Sequence, residues 1–157
     1  MAQRTLQALT ALVAVAGIAL AAAQARRTSG LPAATEPKIM QRITIMAGDR
    51  PMTATLYDNP TARAFAATLP FAVTMHDHRD QEKAGPLPRP LSIGGPAQRD
   101  FTAGEIGYWS PTADIAVYYR SGDGLPSPGI IMIGKVDGDL MPMKAKGNLR
   151  VRFARAE

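Results

Sequence analysis

The sequence predicts a mainly β protein: an antiparallel β-barrel with one short amphipathic helix covering an opening. Three observations predict it. Seven or eight short segments alternate apolar and polar residues with the period of a strand. A single segment carries helical spacing behind a matching start signal. Strands outnumber helices too heavily for a doubly wound sheet, so an antiparallel sheet closing on itself is the natural way to bury them.

The elements follow in order. Ile39, Ile43 and Ile45 surround a β-branched run, Arg42 to Met46, that reads as a strand. Ala47-Gly48-Asp49-Arg50 is a turn. Met52, Ala54 and Leu56 then alternate with Thr53, Thr55 and Tyr57, which completes a hairpin. Asp58-Asn59-Pro60 places a capping Asn before a Pro at the first helical position, where a missing N–H costs nothing. Ala62, Phe65, Ala66 and Leu69 follow at i, i+3, i+4 and i+7, aiming Phe65 and Leu69 at a core until Pro70 stops the helix.

Phe71, Val73 and Met75 alternate as the next strand. Arg79 to Pro90 is charged and then rich in Pro and Gly, and is expected to be a long excursion without a strand. Leu91 and Ile93 are expected to form a brief strand before Gly94-Gly95-Pro96. Ile106 to Trp109 and Ile115 to Tyr119 are strands joined through Ser110-Pro111-Thr112-Ala113-Asp114. Ser121 to Gly129 reads as a loop, and Ile130 to Val136 as a central, strongly apolar strand. Asp137-Gly138-Asp139 turns the chain into a last strand, where Leu149, Val151 and Phe153 alternate with Arg150, Arg152 and Ala154.

Residues 1–25 read as a signal peptide. Arg4 supplies a positive start, Leu6 to Ala23 is an apolar stretch, and Ala23-Gln24-Ala25 is a small-x-small cleavage site. The competing reading is an uncleaved anchor, but the stretch falls short of the ~20 apolar residues that span a bilayer, and alanine dominates it. Residues 26–37, rich in Thr, Ser, Gly, Pro and Ala, read as a flexible leader, and residues 38–157 as one domain. The expected location is periplasmic or secreted, with no stable membrane association after cleavage.

Cleavage would leave 17 Lys and Arg against 13 Asp and Glu, a net charge of +4, with the basic residues dispersed except for Lys144, Lys146, Arg150, Arg152 and Arg155. No pattern of interleaved aromatic and basic residues points to nucleic acid. There are no cysteines, which excludes thiol nucleophiles, thiolate metal sites and disulfide staples.

The run Thr55-Leu56-Tyr57-Asp58-Asn59-Pro60-Thr61-Ala62, with Phe65 and Leu69-Pro70 behind it, resembles the start of the small bacterial cyclophilin-like domain family. Glu82-Lys83 with Leu87-Pro88-Arg89-Pro90-Leu91, Gly104-Glu105-Ile106-Gly107-Tyr108-Trp109-Ser110-Pro111, Ile115 to Tyr119 and Ile133-Gly134-Lys135-Val136 extend the resemblance over roughly Lys38 to Phe153. It implies a β-barrel of cyclophilin type, in a family mostly without assigned activity. True cyclophilins are peptidyl-prolyl isomerases. They carry an arginine in a Phe-His-Arg segment that hydrogen-bonds the prolyl nitrogen, followed by Phe-Met-x-Gln. Here His78-Arg79 follows Asp77 and no Phe-Met-x-Gln comes after it, so the activity does not carry over by resemblance.

The remaining candidates are few. His76 and His78 share a strand face at i and i+2, which makes them a partial metal site at most, with Asp80 or Glu82 as possible oxygen ligands. Tyr108, Trp109, Tyr118 and Tyr119 cluster on two adjacent strands, with members of each pair on opposite faces. Tyr108, Trp109 and Tyr118, together with Arg89 from the proline-flanked loop, form the candidate ligand-binding set. No catalytic residue, cofactor or resident metal is expected. The expected function is an exported binding module for a small ligand or peptide; the alternatives are a divergent peptidyl-prolyl isomerase and an accessory domain that docks on a partner protein.

Overall fold

The computed structural model describes residues 38–157. The signal peptide and leader assigned to residues 1–37 lie outside them. Among the described residues nine strands, all paired antiparallel, occur with one α-helix and one turn of 3-10 helix at Met141–Lys144. The strands are β1 (Ile39–Ala47), β2 (Arg50–Tyr57), β3 (Phe71–His78), β4 (Glu82–Pro86) and β5 (Ala97–Gln98), then β6 (Glu105–Trp109), β7 (Asp114–Tyr118), β8 (Ile130–Asp137) and β9 (Leu149–Arg155). The order β2-β1-β9-β3-β4-β7-β6-β8 returns to β2 through a β2–β8 pairing, so eight strands close a barrel, and β5 is a two-residue addition on β8. The mainly β barrel with one short helix is therefore the architecture observed.

The alternation read from sequence sets the inward face. Ile43, Ile45, Met52, Ala54, Leu56, Val73, Met75, Val151 and Phe153 all point into one core. The helix α1 (Pro60–Ala66) plugs the end where β3 begins and β9 ends. Its Asn59 side chain accepts a hydrogen bond from the Ala62 amide at 2.8 Å, the cap that Asn-Pro implies. Phe65, fully buried, meets Phe71 and Phe153 edge-on at 5.7 and 5.6 Å between ring centroids. The Asn59 amide also donates to the Met132 carbonyl at 3.0 Å, tying the helix start to β8.

Two expectations need correction. Arg79 to Pro90 is not an unbroken excursion: it contains β4, which pairs with both β3 and β7. The hairpin into β4 turns through Arg79 and Asp80, both at positive φ (53° and 55°), without the glycine that normally marks such a turn. The alternation of β4 was hidden because the residue it points inward is a lysine, Lys83. Leu91 and Ile93 form no strand: Leu91 is buried and Ile93 exposed, and the short pairing segment lies later, at Ala97–Gln98.

β8 is buried on both faces from Ile130 to Gly134, as its unbroken apolar run predicts. Against β6, Ile106 faces Gly134 while Gly107 faces Met132, so one extra residue bulges out of β8. The bulge resets the alternation, and Ile133 and Val136 both reach the interior core while Ile130 and Met132 face outward. Outward apolar residues need a cover, and that cover builds the candidate site.

Candidate functional site

On the outer face of β4, β7, β6 and β8 lies a second, smaller apolar cluster of Phe101, Ala116, Tyr118, Ile130 and Met132. Two loop segments cross over it. They are zipped together by reciprocal backbone hydrogen bonds between Phe101 and Gly122, both 2.9 Å, and by Leu125 donating to the Arg99 carbonyl at 3.0 Å. The Arg99 guanidinium donates to the Leu125 carbonyl at 2.6 Å. A Cβ at Gly122 would lie 2.6 Å from the tip of the Phe101 ring, so a larger residue there would displace the ring from its seat. Phe101 in turn stacks on Tyr118 with ring centroids 4.2 Å apart. Between this wall and the β3–β4 turn is a cleft of about 380 Å³.

The cleft is assembled from several elements. β7 contributes Asp114, Ala116 and Tyr118, β4 contributes Glu82 and Ala84, and β6 contributes Trp109, all on the outward register of their strands. The end of β3 supplies His78, the turn after it Arg79 and Gln81, and the covering loops Phe101, Asp123, Leu125 and Pro126. Its floor is apolar and aromatic, and polar side chains, Glu82, Asp114, Asp123, Arg79 and His78 among them, converge on it, as in small-molecule sites.

Glu82 is the distinctive group. It is directly opposite Tyr118 across the β4–β7 ladder and only 9% exposed. Burial pushes its carboxyl above the ordinary value, opposed by the charge of His78, the Tyr118 hydroxyl and the charge of Arg79. Burial, and then the adjacent Glu82, also drive the Tyr118 hydroxyl well above its usual range. A carboxyl and a phenol therefore share one poorly solvated spot in the wall of the cleft.

Of the residues singled out from sequence, Trp109 and Tyr118 meet in this cleft. Tyr108 faces the other way into the barrel core, where its hydroxyl accepts a hydrogen bond from the Leu91 amide at 3.1 Å. Arg89 is exposed on the Pro88–Pro90 loop and is not among the residues lining the cleft. His76 and His78 do share the outer face of β3, opposite Ala84 and Glu82. His76 Nδ1 lies 2.8 Å from Asn148 Oδ1, whereas His78 lines the cleft. Among the described residues no group of three or more His, Asp or Glu is placed to hold a metal ion.

Sequence reasoning missed Asp114, Asp123 and Phe101, and offered Glu82 only as an oxygen ligand beside His76 and His78, not as a wall of this cleft. They come from separate segments, and no spacing relates them. The one signal that could have found Glu82 is its place beside Lys83 in a strand between two turn regions, where one of the pair must face inward.

A search of curated proteins returned no match. Among solved structures, the chain is similar to the solution structure of the hypothetical protein AF2241 from Archaeoglobus fulgidus, with 21% identity and a TM-score of 0.59. The match covers 78% of this chain and 99% of that one, and at that identity it shows the fold alone. Residues 45–154 match the family described as the Cyclophilin-like family. That span runs from the end of β1 into β9 and takes in the helix and the cleft on the outer face, and the chain belongs to the cyclophilin-like family.

Proposed function

We propose that this chain is an exported binding domain that takes a small ligand or peptide into the cleft on the outer face of β4, β7 and β6. The observation that carries the reading is the cleft itself: about 380 Å³, floored by apolar and aromatic side chains, walled by hydrogen-bonded loops, with polar and charged groups converging on it. Such a site needs little reorganisation to bind. Trp109 lines it and is the only tryptophan of the chain, so its fluorescence reports on the cleft alone. A ligand screen read by Trp109 emission and by melting temperature tests the proposal. Binders should raise the melting temperature, and Ala84→Phe, which fills the floor from the outer face, should abolish the response. A screen with no binder, or binders indifferent to Ala84→Phe, sinks it and favours a partner-docking role.

Export rests on residues 1–25. Mass spectrometry of the protein recovered outside the cytoplasm should find Arg26 as the first residue. An intact N-terminus in a membrane fraction would instead indicate an anchor.

Arg79 favours a second reading, a divergent peptidyl-prolyl isomerase, because it lines a cleft with an apolar floor. A protease-coupled assay on a proline peptide decides it: turnover above the uncatalysed rate and lost in Arg79→Ala would establish isomerase activity.

A further inference from the structure

We infer that the cleft selects ligands carrying an amine or guanidinium cation on an apolar stem, with the cation seated against Glu82. The inference rests on the cleft being the binding site proposed above and adds the chemical class of the ligand.

Charge is the first observation. The whole chain is basic, at +5, yet the residues lining this cleft include three carboxylates, Glu82, Asp114 and Asp123, against the single arginine Arg79 and one histidine, His78. The local balance runs opposite to that of the chain, so the cleft is a place where a cation is favoured over an anion.

The second observation concerns Glu82 alone. Among the described residues the acids in ion pairs are Asp58, Asp77 and Asp80; Glu82 is in none, although it is far more buried than they are. Tyr118 faces it across the β4–β7 ladder and presents a neutral hydroxyl, while His78 faces it across the β3–β4 ladder without forming an ion pair with it. A carboxylate has room for about four hydrogen bonds, and a desolvated one is costly until a cation meets it. His78 and Arg79, both exposed, add positive charge nearby, but neither is ion-paired with Glu82. An ammonium or guanidinium entering the cleft would complete what Tyr118 and His78 leave open.

The third observation is the surroundings. Phe101, Trp109 and Tyr118 line the same space, with Ile130 at its base. Aromatic rings attract a desolvated cation and also bury its hydrocarbon stem. A cation on an apolar stem satisfies all of these groups together, whereas a neutral ligand leaves Glu82 unpaired and an anion is repelled.

The test uses four probes of nearly one shape: phenethylamine, phenethylguanidine, 2-phenylethanol and phenylacetate. Each is titrated into the purified chain while Trp109 fluorescence and backbone amide resonances are followed. The amine and guanidine should bind at least about tenfold more tightly than the alcohol, with phenylacetate weakest. Glu82→Gln should cost the two cations at least about tenfold and leave the alcohol unchanged. Should Glu82→Gln fail to fold, the Asp114→Asn, Asp123→Asn double variant should weaken the cations through the same field. If all four probes bind alike, or the cations ignore these substitutions, the charge selection is wrong while the cleft remains a binding site. If none of the four binds, the inference is overturned; the cleft reading falls with it only if the broader screen, with its Ala84→Phe control, is also empty.

Discussion

Lys83 and Asp77 face each other across the β3–β4 ladder, and the Lys83 ammonium lies 2.9 Å from an Asp77 carboxylate oxygen. The lysine side chain is completely buried, pointing into the barrel at the end opposite the helix, whereas the aspartate is 33% exposed. Lys83 also donates to the Gly147 carbonyl at 2.8 Å, and the Tyr119 hydroxyl donates to Asp77 at 2.8–2.9 Å. One end of the barrel is thus plugged by aromatic rings and the other by a charged network.

The two members of that pair should not be equally dispensable. Asp77→Ala strands a buried ammonium and should cost about 3 kcal/mol, the range expected when one partner of a buried pair is removed. Lys83→Met removes the buried charge itself, fills the same space, and leaves Asp77 to water and Tyr119. Its cost should be well below that of Asp77→Ala. Denaturant midpoints of the two variants check the asymmetry, and equal losses would refute it.

Stability should depend on pH through two carboxylates of opposite sign. The Lys83 hydrogen bond holds the Asp77 carboxyl below its ordinary value. Its contribution is therefore complete above the unfolded-chain pKa of about 4, shrinks as pH falls below that, and is gone beneath the depressed folded value. Burial raises Glu82 instead, so its contribution is present at low pH and is lost as pH rises through its folded value. Melting temperatures between about pH 3 and pH 7 should fall less steeply on the acid side in Asp77→Asn and more steeply in Glu82→Gln. At neutral pH, Glu82→Gln should melt at or above the parent temperature, as expected where a binding group is held at a cost to stability.

Asn59 performs two tasks with one side chain, capping α1 through its oxygen and holding β8 through its nitrogen. Asn59→Ala should lose about 1–2 kcal/mol. Asn59→Asp keeps the cap acceptor but not the donor to Met132 and should fall between. Thermal unfolding of the three proteins gives the order, and an Asp variant as unstable as the Ala variant would deny the cap its share.

Gly85 lies where β3 exchanges its partner, pairing with β9 through Met75 and with β4 from His76 onward. A Cβ at Gly85 would sit 2.7 Å from the Thr74 carbonyl oxygen and 3.2 Å from the Met75 Cα. The obstacle is backbone, which cannot rotate away. Gly85→Ala should cost at least about 2 kcal/mol, read from the denaturant midpoint at unchanged slope. A loss below about 0.5 kcal/mol would show that the strands can separate there freely.

The β1–β2 hairpin, α1 and β9 were legible because each has a polar face and an apolar face, and because Asn59-Pro60 and Gly48-Asp49 punctuate them. β4 was not, since its inward residue is charged and its turn lacks glycine. Within the site, alternation sufficed to put Tyr108 and Trp109 on opposite faces, but it carried no information about which face was which. Local order in this chain comes from periodicity and capping, which act between near neighbours and so are written in consecutive residues. The cleft arises from barrel closure, which brings Glu82 opposite Tyr118 and lays Phe101 over both β7 and β8, contacts between distant segments that no local pattern encodes.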